Sequence, residues 1–288
     1  MMTLLDKQKD IEKKLGTVTK SWLYEAKTIL CHVLDLEPIE LVLSKNKMLS
    51  NEEVLKIDEM IKGRLERIPL QYLTNHQGFY GLDFYVDEHV LIPRPETEIL
   101  VERVIKYAKA IIDEKTMAEK QGLSILDIGV GSGAISIAIA NQLVKSNVTG
   151  IDISENALNV AVVNAKTHGV ENKIKFFKSD LFENVNETYD IIVSNPPYIP
   201  VPDLATLEPE VAEYEPHLAL FGGEDGLDFY RRLIPESTKF LKEGGVLFLE
   251  AGHNQFKAIE ALFNLSGFKE VDHFEDLNGI PRFIYGKR

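Results

Sequence analysis

The spacing of apolar positions changes character along the chain, and each change marks a different kind of element. Over the first 65 or so residues apolar side chains recur every three or four positions. "SWLYEAKTILCHVLDL" places Trp22, Leu23, Ala26, Ile29, Leu30, Val33 and Leu34 on one helical face. "SNEEVLKIDEMIKGRLERIP" opens with Ser50 and Glu53 in the spacing of a capping box and stops before Pro69. From His76 the period shortens: "HQGFYGLDFYVDEHVLIP" sets aromatic and β-branched residues around Gly78 and Gly81, which predicts a hairpin linking two domains. "RPETEILVERVIKYAKAII" then returns to helical spacing, with Pro95 near its first turn and Glu96 and Glu98 at its positive end.

From Ser124 onward strands and helices alternate. The strand-like runs are "SILDIG", "NVTGID", "KIKFFKSD", "YDIIVSN" and "GGVLFLEA", and amphipathic stretches lie between them. This predicts an α/β fold, a doubly wound, mainly parallel sheet. "GFKEVDHFEDL" and "RFIYGKR", around "NG" at Asn278 and Gly279, predict an antiparallel hairpin at the C-terminal edge. The expected domains are residues 1–75 (helical), 76–93 (hairpin linker) and 94–288 (α/β).

A chain of 288 residues, 44% hydrophobic and 27% charged, is long enough for one full α/β domain and a smaller one. Its single cysteine, Cys31, excludes an intramolecular disulfide and fits a packed thiol in a reducing cytoplasm. "MMTLLDKQKD" lacks the apolar core of a signal peptide, and runs such as "AISIAIA" are too short to span a bilayer, so no membrane role is expected. The net charge of −13 is uneven: residues 1–75 hold 12 basic and 12 acidic side chains, whereas residues 121–288 hold 14 and 24. Duplex DNA is gripped through a basic footprint, which this second half lacks, so no direct nucleic-acid partner is expected. A monomer is expected.

The candidate chemistry lies where strands end. "LDIGVGSGA" joins a strand to a helix through Gly129, Gly131 and Gly133; glycines permit tight turning and close ligand approach, and the helix start offers free N–H groups. By itself this loop also satisfies a loose dinucleotide fingerprint, so NAD and a plain strand-to-helix turn both stay open. Asp152 ends the next strand, 23 residues after Gly129, where a carboxylate can accept two hydrogen bonds from a ribose diol; Ser154 is placed to cap the following helix. In "KSDLF", Asp180 can meet an adenine amino group and Leu181 can cover the ring, or the two are a surface turn and a core leucine.

"SNPPYIP" is more specific. Proline cannot continue a sheet ladder, so the strand stops near Asn195 with its backbone pinned. The Asn195 side-chain carbonyl and the backbone carbonyl of Pro196 are two acceptors for a substrate –NH₂, whose nitrogen lone pair would then face a bound electrophile, with Tyr198 packed against the planar group. The seven histidines are scattered without a second ligand at helical or hairpin spacing, so no metal is expected.

"DIGVGSG", "GID" and "SNPPYIP" together resemble class I S-adenosylmethionine-dependent methyltransferases acting on planar nitrogen. "LIPRPETEILVE", "LALFGGEDGLDFYRRL", "LEAGHNQ" and "DLNGIPRF" extend the resemblance, over nearly the whole chain, to the HemK/PrmC family of peptide chain release factor glutamine methyltransferases. The resemblance implies a Rossmann-like class I domain, S-adenosyl-L-methionine as cofactor with S-adenosyl-L-homocysteine as product, and a release factor whose Gly-Gly-Gln glutamine is the substrate. It implies cofactor contacts at Gly129, Val130, Gly131, Ser132, Gly133, Asp152, Asp180, Leu181 and Asn195. Asn195, Pro196, Pro197 and Tyr198 would hold the glutamine, with Asn195 and Pro196 catalytic. Leu181 stands where some relatives have tryptophan, and Val130 and Ala251 also depart from the commoner residues. The rival readings are a ribosomal-protein glutamine methyltransferase, an adenine-N6 DNA methyltransferase and a noncatalytic nucleotide-binding module. Seven acidic residues and no Lys or Arg between Pro200 and Gly226 predict a pocket mouth that repels polyanions.

Overall fold

The computed structural model describes residues 2–114 and 122–288. They divide into two compact units, the first being the chain up to His76 together with Glu208–Tyr214. Its helices are α1 (Leu4–Leu15), α2 (Trp22–Leu34), α3 (Pro38–Leu43), α4 (Asn51–Leu65) and α5 (Leu70–Thr74). The Ser50–Glu53 capping box is formed in both directions, and Thr3 with Asp6 builds a second one ahead of α1. Leu4, Ile11, Ala26, Ile29, Leu30 and Ile57 form the core, with Trp22, Val33, Leu34 and Cys31 packed at its margin.

The predicted apolar face of α2 needs one correction: Leu23 is 48% exposed, while Glu25 is buried. The reason is an ion pair that periodicity does not show. Buried Arg64 on α4 donates from Nε to Glu25 at 2.6 Å and from Nη2 to Glu210 at 2.7 Å. A guanidinium removed from water needs such partners, and breaking a buried pair typically costs about 3–5 kcal/mol. Arg67 pairs with Glu208 and Glu210, and the Tyr214 hydroxyl donates to the Glu66 carbonyl at 2.6 Å. Residues 208–214 thus belong to the helical unit although they are distant from it in sequence.

The second unit holds the remaining described residues. The predicted hairpin is present as β1 (His76–Phe79) and β2 (Leu82–Tyr85), with Tyr80 and Gly81 at φ 51° and 73°, as a two-residue hairpin turn requires. After α6 (Thr97–Glu114), strands and helices alternate as β3 (Leu123–Ile128), α7 (Ala134–Gln142), β4 (Ser146–Asp152), α8 (Glu155–Thr167), β5 (Ile174–Lys178) and β6 (Tyr189–Ser194). Then follow α9 (Asp228–Phe240), β7 (Leu241–Glu250), α10 (Phe256–Leu265), β8 (Lys269–Glu275) and β9 (Pro281–Lys287). No helix among the described residues is long and apolar enough to cross a membrane.

Among the described residues the main sheet has seven strands in the order β5-β4-β3-β6-β7-β9-β8, parallel except where β9 runs against β7 and β8. The predicted α/β class and antiparallel C-terminal hairpin are therefore present. Strand order runs outward in one direction from β3 through β5 and in the other from β6, so the switch point lies between β3 and β6, where open α/β sheets bind ligands. The last hairpin turns through more than Asn278 and Gly279. Asp276 organises it, accepting from the N–H groups of Asn278 and Ile280 and pairing through Oδ2 with Arg282 at 2.9 Å.

Candidate active site

Strands β3 and β6 are register partners up to Ile128 and Ser194, and the Ser194 hydroxyl donates to the Ile128 carbonyl at 2.6 Å. The two strand ends are thereby clipped together, and each opens into one of the loops singled out in the sequence. Gly129, Gly131 and Gly133 have φ of 76°, 52° and 87°, a region open to glycine and strained for other residues. A Cβ at Gly129 or Gly131 would meet nothing within 4 Å, so these two face open space. At Gly133 a Cβ would stand 2.8 Å from Ile137 Cδ1 and 3.3 Å from Ala161 Cα, so that glycine serves close packing of α7 on α8.

Asp152, at the end of β4, lies beside the glycine loop: its Oδ2 accepts from the Gly131 N–H and its Oδ1 from the Ser154 N–H, both at 2.9 Å. Burial raises its pKa, and the backbone N–H groups of Ser154, Gly131 and Ile153 oppose the rise. Ser154 caps α8, accepting from the Ala157 N–H. Beneath the loop, buried Asp127 receives the Ser136 N–H and hydroxyl on Oδ2, and burial pushes its pKa up to about 7.

Asp180 and Leu181 follow β5. Asp180 Oδ2 is held by Arg232 at 2.9 Å. Leu181 has φ 46°, rare for a bulky side chain and costing about 1–2 kcal/mol. Ser179 holds it there, donating to the Leu181 carbonyl at 2.8 Å and accepting from the Asn184 N–H at 3.1 Å.

One cavity joins these features. It encloses about 880 Å³, part of it open to solvent, and its walls include Gly129, Gly131, Asp152, Asp180, Leu181, Asn195, Pro196 and Pro197. Asn195 Nδ2 donates to the Thr97 hydroxyl oxygen at 3.1 Å, and that hydroxyl donates to Glu250 Oε2 at 2.7 Å. Glu250 is fully buried at the end of β7, and burial lifts its pKa to about 7 against the favourable effects of Thr97, Arg282 and Arg94.

Four residues named from the sequence do not line this cavity. Val130 packs with Leu158, Ala161 and Phe176; Ser132 is buried, its carbonyl accepting from Asn164; Gly133 caps α7. The Tyr198 ring packs against the core around Tyr230, and its pKa is raised by burial. Pattern reading also passed over His89, Val90, Leu91, Phe229 and Leu233, which line the wall as well, and Thr97 and Glu250 behind Asn195. Glu250 had a visible signal, a carboxylate closing the apolar run "VLFLE"; the apolar wall residues had none, since they read as ordinary core.

The acidic loop differs from its expected role. Glu208 and Glu210 are paired with Arg67 and Arg64, buried Glu215 with Arg94 at 2.6 Å, and Asp225 with Arg231. Four of the seven carboxylates are thus matched by arginine, and the part of the loop on the cavity wall is apolar Pro216, Leu218 and Ala219. Charge repulsion at the mouth is correspondingly weaker than composition suggests.

The residues present fit an adenosyl-bearing cofactor. Two glycines leave room where side chains would stand, a carboxylate ends the neighbouring strand, and Leu181, Phe229 and Leu233 give an apolar wall of the kind that takes a planar ring. The sequence profile of the PrmC N-terminal domain matches residues 9–74, and that of the methyltransferase small domain matches residues 107–204. A human methyltransferase 10 domain containing protein shares the fold, with a TM-score of 0.52 at 18% identity, covering 72% of this chain and 88% of that one. The release factor glutamine methyltransferase of Geobacter sulfurreducens is 40% identical over 91% of this chain and 88% of its own length. That of Thermodesulfovibrio yellowstonii is 38% identical over 98% and 97%. With relatives this similar along almost its entire length, the chain belongs to the release factor glutamine methyltransferase family.

Proposed function

We propose that the protein methylates the side-chain amide nitrogen of the glutamine in the Gly-Gly-Gln motif of a peptide chain release factor, with S-adenosyl-L-methionine as methyl donor. One observation carries the reading. Asn195 and the rigid Pro196-Pro197 pair stand on the same cavity wall as Gly129, Gly131 and Asp152, at the switch point of the sheet. A cavity with a nucleoside end and an amide-accepting end suits transfer between the two.

When bound, the cofactor would supply a sulfonium methyl group: the N–C bond forms as the S–C bond breaks, S-adenosyl-L-homocysteine is left, and the amide nitrogen gives up one proton to solvent. Gly129 and Gly131 would give close backbone approach, Asp152 would accept from the ribose hydroxyls, and Asp180 with Leu181 would border the adenine. An amide nitrogen is a poor nucleophile because its lone pair is delocalised into the carbonyl. Asn195 Oδ1 and the Pro196 carbonyl accept its two hydrogens and hold it in place, so the protein contributes positioning and electrostatics. Residues 1–75, joined in their unit by residues 208–214, serve as the substrate-binding domain, residues 76–93 as the linker and the rest of residues 94–288 as the catalytic domain. Choosing one glutamine among many then rests on recognition of the folded substrate as well as of the motif.

The test is mass spectrometry after incubation with cofactor and, separately, an intact release factor, a short Gly-Gly-Gln peptide, a ribosomal protein and duplex DNA. Methylation of the release factor glutamine, with little on the peptide and none on DNA, is the expected result. Label on the ribosomal protein alone, or on DNA adenine, would overturn the substrate assignment.

A further inference from the structure

We infer that Thr97 and Glu250 are positioning residues that decide which end of the Asn195 side-chain amide faces the cavity. The inference deepens the methyl-transfer reading above and rests on it. A carboxamide can sit in two orientations half a turn apart, one presenting oxygen and the other –NH₂, and only hydrogen-bond partners decide between them. Holding a substrate –NH₂ requires the oxygen. Presenting –NH₂ would set donor against donor.

The surroundings of Asn195 choose the oxygen by elimination. Its Nδ2 lies 3.1 Å from Thr97 Oγ1, which lies 2.7 Å from Glu250 Oε2. A hydroxyl has one hydrogen, and an ionised carboxylate can only accept. Thr97 therefore gives its hydrogen to Glu250 and has only lone pairs for Asn195, so Asn195 must turn its –NH₂ inward. Turned the other way, Asn195 Oδ1 and Thr97 Oγ1 would meet as two acceptors without a hydrogen between them. Thr97 and Glu250 are 4% and 1% exposed, so bulk water does not substitute for the missing donor.

Both partners are held by rigid elements. Thr97 begins α6, its N–H bonded to the Arg94 carbonyl at 3.1 Å, and Glu250 ends β7, its backbone carbonyl accepting the Tyr230 hydroxyl at 2.7 Å. Charged and titratable groups facing Glu250 are Arg94, Arg282, Glu96, Tyr198 and Tyr230. The arginines favour the carboxylate form; burial opposes it and brings the pKa to about 7. Protonated Glu250 would donate to Thr97, whose hydrogen would then favour the opposite Asn195 orientation. Ionised Glu250 sets the productive one.

The experiment compares steady-state methylation of an intact release factor by wild type, Thr97→Val, Thr97→Ser, Asn195→Ala and the Thr97→Val/Asn195→Ala double variant, with cofactor affinity from calorimetry. Thr97→Val is expected to lower kcat roughly tenfold or more, with KM and cofactor Kd changed by less than about twofold, and Thr97→Ser to restore most of kcat. Because Thr97 acts through Asn195, the double variant should be no slower than Asn195→Ala. Normal kcat in Thr97→Val, a Thr97→Ser enzyme as slow as Thr97→Val, or a further loss in the double variant would each overturn the inference. Should Thr97→Val not fold, the pH profile decides: wild-type kcat should rise through about pH 7, and Glu250→Gln should lose that step. A step retained in Glu250→Gln would overturn it. Wild type that leaves glutamine unmethylated would refute the functional reading, whereas active wild type, slow Asn195→Ala and normal Thr97→Val would refute the relay alone.

Discussion

Two loops leave neighbouring parallel strands at the same level of the sheet and solve opposite problems. After Ile128 the chain runs through Gly129, Gly131 and Gly133, all at positive φ, and two of these expose bare backbone to the cavity. After Ser194 it runs through Asn195, Pro196 and Pro197, where two rings restrict the backbone and a buried hydroxyl and carboxylate hold a side chain. The first loop makes room by omitting atoms; the second aims an atom by constraining it. Lesions in the glycine loop should therefore appear in cofactor affinity and stability, and lesions in the asparagine loop in turnover.

The sharpest test of that division is Asn195→Ala, expected to lower kcat by roughly 10² or more, as removal of a preorganised polar contact does, with cofactor affinity nearly unchanged. Near-normal turnover in a methylation assay would break the comparison. On the other side, Asp152→Ala should weaken S-adenosyl-L-methionine binding by about 1.5–3 kcal/mol, read by calorimetry; unchanged affinity would sink its assignment to the ribose.

Within the glycine loop a finer contrast is available. Gly133→Ala would press on Ile137 and Ala161 at a φ of 87°, and about 1–2 kcal/mol of stability should go in a denaturant titration. Gly129→Ala meets no protein atom, so beyond its backbone strain it should show a cofactor Kd raised by the methyl group in the cavity. If both variants lost the same stability and affinity, the division of labour among the glycines would be wrong.

The most gradual effect is in pH. Asp127, two residues before Gly129, has its pKa raised by burial from 3.8 to about 7. The folded state then keeps a proton that the unfolded chain releases. Its contribution is full below about pH 4 and is lost as pH rises towards 7, with a slope of at most about 1.4 kcal/mol per pH unit. Thermal unfolding between pH 4 and 8 should show the decline, to which Glu250, also raised to about 7 by burial, adds its own share; Asp127→Asn should make it shallower, and an unchanged slope in that variant would remove Asp127 as a cause.

Much of this architecture was legible in the chain, because strand ends are marked by residues with few alternative uses. Glycines between a β-run and a helix and prolines after a β-run restrict the backbone locally, so "DIGVGSG" and "SNPPY" located both loops without tertiary information. Asp152 was legible for a related reason, as a carboxylate ending an apolar strand. Leu181 was legible as a position but not as a strained one: its φ of 46° depends on the Ser179 and Asn184 contacts that hold it.

Periodicity and turn chemistry therefore determined the element order, the fold class and the identity of the two loops, because these depend on residues adjacent in sequence. Tertiary structure alone decided which partners those residues meet. Thr97 and Asn195 are 98 positions apart and Thr97 and Glu250 are 153 apart, yet they form one hydrogen-bonded line. Glu210, which reads as one charge in an acidic loop, neutralises an arginine 146 positions earlier. A buried polar atom must find a partner wherever the fold brings one, and local pattern carries no information about where that is.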